Sequence, residues 1–118
     1  MKKGYIVILL IAIVLFGIGY YNYQKPGKYD TLAKCISEKG VKFYGSFQCS
    51  HCADQKRIIG KSMEYINYIE CGPLSGPLTK ICQEEGIRSY PKWEFNGEKI
   101  SKVLTIEELS SMSGCKNE

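Results

Sequence analysis

Cys49-Ser-His-Cys52 is the segment whose residue types and spacing most directly imply chemistry. Two thiols separated by two residues can close a disulfide and reopen it. The flanking pattern sets them between a compact strand, Val41-Lys-Phe-Tyr44, and a helix from Cys49 to about Lys61, the context in which such a pair acts as a redox couple. Cys49 then stands at a helix N-terminus, where unpaired backbone N–H groups and the positive end of the helix dipole favour the reactive thiolate. Cys52, one turn further in, is shielded. This asymmetry assigns roles: Cys49 forms the mixed disulfide with a client and Cys52 resolves it. His51 adds partial positive charge beside Cys49, which stabilises the reduced form and makes the couple more oxidising.

Two other readings of these residues stand beside the redox one. A purely structural Cys49–Cys52 bond closes a tiny loop and restrains little of the unfolded chain. A zinc site drawing on Cys49, His51, Cys52, Cys71 and Cys82 lacks the second close pair that zinc ribbons favour, since Cys71 and Cys82 stand 11 residues apart. The expectation is therefore a dithiol with no metal and no bound cofactor. The remaining four cysteines allow three pairings, and spacing alone does not choose among them. Cys71–Cys82 and Cys35–Cys115 are favoured: the first ties a strand end to the next helix, the second joins the two ends of the domain across a long loop. Cys71–Cys82 is read as structural, with electron relay between the dithiol and a membrane partner as the alternative.

The elements that must position the dithiol follow from local pattern. Gln24-Lys-Pro-Gly-Lys28 reads as a short exposed linker, within a linker region 24–30, and the folded domain runs from 31 to 118. Asp30 or Thr31 caps a helix to Lys39 with Leu32, Cys35 and Ile36 on one face, ended by Gly40. After the helix that follows Cys49, Tyr65 to Glu70 reads as a strand. Cys71-Gly-Pro-Leu-Ser-Gly is a loop, and Pro77 opens a helix reaching Glu85, with Gly86 as its stop. Lys92-Trp-Glu-Phe95 and Lys99-Ile-Ser-Lys-Val103 flank Asn96-Gly97, a strong hairpin signal. Thr105 and Glu108 form a capping box for a last helix, with Leu104, Ile106, Leu109 and Met112 as its buried side.

Composition narrows the compartment. Gly4 to Tyr23 is 20 residues without a charge, enough helix to cross a bilayer once. Tyr20, Tyr21 and Tyr23 gather at its end, where aromatic rings favour the headgroup layer, and Lys2 and Lys3 mark the cytoplasmic side. Residues 1–23 are thus read as a single-pass anchor with the N-terminus cytoplasmic and the C-terminal domain outside the cytoplasm. Gly17 and Gly19 give the rival reading, a cleaved signal peptide. Formal charge is +4. Because Lys2 and Lys3 precede the apolar stretch, the domain itself is near balance, which argues against a nucleic-acid-binding stripe. Apolar and aromatic residues spread along the chain argue against disorder.

A dithiol at the first strand-to-helix turn, with an isolated proline before the third strand, resembles the thioredoxin fold, an α/β class with a mixed sheet flanked by helices. More narrowly, Phe43-Tyr-Gly45, Cys49-x-His-Cys52, Glu70-Cys71, Cys82, Gly86-Ile87, Tyr90-Pro-x-Trp93 and Ser113-Gly-Cys115 resemble the thioredoxin-like domain associated with vitamin K epoxide reductase homologues. The resemblance runs from about Leu32 to Cys115. It implies disulfide exchange with exported, cysteine-containing proteins and regeneration by a membrane partner that passes electrons to a quinone. With one span in this sequence, it implies that the quinone-reducing protein is separate. It also implies that Pro91 forms a cis-proline loop facing the dithiol, and that the backbone of Tyr90 holds an extended client segment. Two departures bear on potential and client surface: Ser50 stands where proline is frequent, and Gln48 where tryptophan usually precedes the first cysteine.

Overall fold

Lys2–Gln24 form one uninterrupted helix, α1, in the computed structural model, which describes residues 1–117. None of its residues is buried by the rest of the chain, and its mean hydropathy reaches 2.3. Such a surface finds its low-energy solvent in hydrocarbon, and the helix is long and apolar enough to cross a membrane once.

The segment after α1 is exposed but pinned. The Gly27 N–H donates to Asp30 Oδ2 at 2.9 Å, the Tyr29 N–H to Ser62 Oγ at 2.9 Å, and Ser62 Oγ to Asp30 Oδ1 at 2.8 Å. A Cβ on Gly27 would stand 2.4 Å from Ser62 Oγ, so this close approach requires glycine. Asp30 therefore does not cap the next helix, α2 (Asp30–Glu38), as its position suggests. It lies inside the first turn, and Tyr29 occupies the cap without a side-chain bond.

Four strands form one mixed sheet in the order β2-β1-β3-β4. Strand β1 (Lys42–Gly45) pairs in parallel with β2 (Tyr68–Glu70) and antiparallel with β3 (Lys92–Phe95), which pairs antiparallel with β4 (Glu98–Ile100). The Asn96-Gly97 turn joins the last two with positive φ at both residues, 50° and 85°, as a tight hairpin of matching twist requires. Between β1 and β2 run helix α3 (Ser50–Ile59) and a 3₁₀ turn (Gly60–Tyr65). Helix α4 (Lys80–Glu84) precedes β3, and α5 (Ile106–Ser113) closes the fold. This is the α/β arrangement of a mixed sheet flanked by helices that the resemblance implied.

Three local expectations are corrected. The strand beginning at Tyr65 is shorter, because Gly60, at φ 66°, turns the chain out of α3 into the 3₁₀ turn that extends to Tyr65. Pro77 lies outside α4: the Thr79 N–H donates to the Cys71 carbonyl at 3.1 Å, which keeps residues up to Thr79 in a loop. Met112 is 41% exposed, while Leu104, Ile106, Leu109 and Cys115 are the buried apolar residues of this region. The capping box forms as expected, with the Glu108 N–H donating to Thr105 Oγ1 at 3.1 Å and the Thr105 N–H to Glu108 at 2.9 Å.

Phe43 and Tyr44 are both fully buried and face opposite sides of the sheet. Phe43 stacks on Trp93 with ring centres 4.6 Å apart in the main core, which takes Leu32 and Ile36 from α2, Cys52 and Ile59 from α3, and Ile106 and Leu109 from α5. Tyr44 joins Cys71, Cys82 and Ile87 in a smaller one. Gln55 is the polar centre of the main core. Its Oε1 accepts from Trp93 Nε1 at 3.0 Å and from the Leu104 N–H at 2.7 Å, and its Nε2 donates to the Leu104 carbonyl at 3.0 Å. Every polar atom in that knot is paired, and it fastens the dithiol helix to β3. Gln55→Leu would strand the indole N–H and both Leu104 backbone groups, so chemical denaturation should show a loss of about 2–4 kcal/mol. A loss below about 0.5 kcal/mol would mean that water replaces the amide without cost.

Candidate active site

Cys49 and Cys52 are free thiols, while Cys35–Cys115 and Cys71–Cys82 are bonded, with Cα–Cα separations of 6.0 and 5.5 Å. Cys49 is the N-cap of α3. Its φ of −82° and ψ of 118° are extended, and its Sγ accepts from the Cys52 N–H at 3.3 Å. A sulfur takes the capping place of a Ser or Asp oxygen, so any negative charge on it meets the unpaired N–H groups of the first turn. Cys49 is half-buried and Cys52 fully buried.

The Cys52 thiol is pushed up to about 12, chiefly by burial and next by its hydrogen bond to Cys49, although a backbone bond at Ser46 and the charge of Lys56 act in the opposite sense. A raised value favours the protonated form in the folded state. The stability it contributes to the reduced protein is complete below the unfolded thiol's value near 9 and fades as pH climbs towards 12. At pH 8 Cys52 is held as the thiol, so iodoacetamide should modify Cys49 first and leave Cys52 nearly untouched. Equal labelling of both, read by peptide mass spectrometry on reduced native protein, would contradict this environment.

Residues not expected in the site complete the surroundings. A Cβ on Gly45 would stand 3.1 Å from Cys52 Sγ and 3.2 Å from Tyr68 Oη, so the thiol and the phenol converge on the one backbone position that offers them room. Tyr68 donates to Glu70 Oε2, and Glu70 Oε1 accepts from the Phe47 N–H at 2.8 Å, so one carboxylate orients the phenol and clamps the loop ahead of Cys49. Burial, Glu70 and the charge of the two sulfurs all raise the Tyr68 phenol above its usual range. Lys56 lies over the Tyr68 ring, 4.1 Å from its centre. Alternation in β2 signals that Tyr68 and Glu70 share one sheet face, but the sequence does not reveal that this face meets the dithiol.

His51 is largely exposed on the first turn of α3, with Nδ1 3.8 Å from Asp54 Oδ2, and Asp54 also pairs with Arg57. Ser50 is exposed beside it. The Tyr90–Pro91 bond is cis and Pro91 is buried. Because Tyr44 pairs with Lys92, the same register sets Pro91 opposite Gly45, at the end of the sheet that carries the dithiol loop. Tyr90 is half-buried against both cores, and burial raises its phenol, with the charge of Cys52, Glu70 and Cys49 adding to the effect. Cys71 and Cys82, two of the conceivable zinc ligands, are consumed in their own disulfide. Among the described residues no group of three or more His, Cys, Asp or Glu converges as a metal site.

No known protein-family profile matches the chain. It is similar to a thiol–disulfide oxidoreductase. The thiol-disulfide oxidoreductase LTO1 of Arabidopsis thaliana is 35% identical over 88 residues, which cover 70% of this chain. The chain spans 23% of that protein's length.

Proposed function

We propose that this chain is a membrane-anchored thiol–disulfide oxidoreductase that oxidises or isomerises disulfides in exported proteins, with Cys49 and Cys52 as its redox couple. The arrangement that carries the reading is the unequal pair: an accessible sulfur capping α3, bonded to the N–H of a buried thiol one turn in, while the other four cysteines are tied up. The likeness to LTO1, a protein named for thiol–disulfide exchange, supports it.

In the oxidising direction a client thiolate attacks Cys49 Sγ, the Cys49–Cys52 bond breaks, and Cys52 leaves as a thiolate that takes up a proton. The client's second thiol, once deprotonated, then attacks its own sulfur in the mixed disulfide and releases Cys49. Two electrons have moved from client to protein, and the client holds a new disulfide. His51 and Ser50 tune the couple, and the backbone of Tyr90 beside Pro91 receives the client strand. The reduced couple returns its electrons to a separate quinone-reducing membrane protein of the vitamin K epoxide reductase type. In this reading α1 anchors the chain, with its N-terminus cytoplasmic and the domain on the far side of the membrane.

The deciding experiment is the potential of the Cys49–Cys52 couple, equilibrated against glutathione and read by thiol-labelling mass spectrometry. A value above about −200 mV with Cys35, Cys71, Cys82 and Cys115 still oxidised supports a disulfide donor, whereas one near −270 mV makes the protein an outward-facing reductase. His51→Gly should lower the potential by roughly tens of millivolts, and an unchanged value would remove His51 from the tuning.

A further inference from the structure

After Gln24, Phe47 and Leu74 are the most exposed large apolar side chains among the described residues, at 66% and 58%. They come from different segments, and both segments meet at Gln48. Phe47 precedes Cys49 by two residues; Leu74 lies on the loop between β2 and α4, whose N–H donates to Gln48 Oε1 at 2.9 Å. Three more bonds tie that loop and the end of β2 to the strand and turn that carry the dithiol. The Cys71 N–H donates to the Gly45 carbonyl at 2.8 Å, Ser46 Oγ to the Gly72 carbonyl at 2.6 Å, and the Phe47 N–H to Glu70 at 2.8 Å. The Cys71–Cys82 disulfide closes the loop at its base, with both cysteines fully buried. Two apolar side chains are thus held in water, one on the residue before Gln48 and one on the residue whose N–H bonds the Gln48 side chain, by backbone that is bonded in place.

A mixed disulfide brings the client's backbone within roughly 6 Å of the Cys49 Cα. An extended client advances about 3.3 Å per residue, so the side chains one or two positions from its cysteine fall on the residues neighbouring Cys49. We infer that Phe47 and Leu74 are the client contact that sets specificity, and that the preferred client is an extended segment with a large aliphatic or aromatic residue within two positions of its reactive cysteine. This rests on the oxidoreductase reading. In it the Cys71–Cys82 disulfide serves recognition: it fixes the wall of the site on which Leu74 is presented.

The test uses the full chain in detergent micelles, with Cys49–Cys52 oxidised, and two dithiol peptides that differ only in carrying Leu or Ser beside the reactive cysteine. Second-order rate constants for peptide oxidation are read by acid quench and thiol labelling. The wild type should prefer the Leu peptide by about tenfold, the scale set by burying one aliphatic side chain. Phe47→Ser and Leu74→Ser should each bring that ratio towards one, Leu74→Met should preserve it, and Met112→Ser on α5 should leave it in place. Equal wild-type rates for the two peptides, or an undiminished ratio in both serine variants, would overturn the inference while sparing the oxidoreductase reading. Failure of the wild type to oxidise either peptide would instead defeat that reading.

Discussion

Cys52→Ala should accumulate covalent adducts between Cys49 and client proteins, whereas Cys49→Ser should exchange with none. The two variants differ because the sulfurs occupy different environments. Cys49 is half-buried at the end of α3, and a client thiol that reaches the protein meets it first. In Cys52→Ala the Cys49 thiolate attacks a client disulfide and expels one client thiolate; no second thiol of the protein can then displace the client, and the mixed disulfide outlives a normal turnover. Without Cys49 the remaining thiol is fully buried and held in its protonated form, so it neither attacks nor is attacked at a useful rate. The loss should exceed about 10³-fold in the rate of disulfide transfer, since the thiolate fraction and the access fall together. Non-reducing gels after acid trapping, with client bands excised for mass spectrometry, provide the measurement. Normal turnover by Cys52→Ala, or adducts formed through Cys52 in Cys49→Ser, would reverse the roles.

Removing the Cys35–Cys115 disulfide should have the largest effect on stability. It joins α2 to the segment after α5 across 80 residues of sequence, and Cys115 is buried in the main core. Closing a loop of that length lowers the entropy of the unfolded chain by an amount worth about 4.5 kcal/mol in the chain-entropy model. Lys39 Nζ donates to the Ser113 carbonyl at 2.7 Å and holds the same two ends together, but an exposed bond of this kind offsets only about 1 kcal/mol. The double variant Cys35→Ala/Cys115→Ala should therefore melt more than about 10 °C below the wild type, and strong reductant should bring the wild type down towards it. Matching melting temperatures would mean that the unfolded chain stays compact enough to make the cross-link thermodynamically silent.

Much of the architecture is legible locally. The apolar run from Gly4 to Tyr23, the Asn96-Gly97 turn and the Thr105–Glu108 box each encode their structure within a few residues, so no distant contact can overrule them. The Cys49–Cys52 pair is legible for the same reason: it is defined by two residues and the helix they begin. Helix and strand ends were less so. Asp30 looks like a cap, yet its carboxylate is taken by Gly27 and by Ser62, which lies 32 residues further on. Pro77 looks like a helix start, yet the loop closed by Cys71–Cys82 delays α4 until Lys80.

The sequence by itself determined the single apolar span, the class of fold and the Cys49–Cys52 pair, because each depends on residue type and short-range spacing. Tertiary structure alone decided the surroundings of the thiols. Tyr68 and Glu70 reach the dithiol only because β2 lies parallel beside β1, Gln55 finds its partners on β3 and before α5, and Leu74 reaches Gln48 across a loop tied at both ends. Parallel pairing and loop closure bring together residues about 15 to 50 positions apart, and nothing in local spacing carries that information.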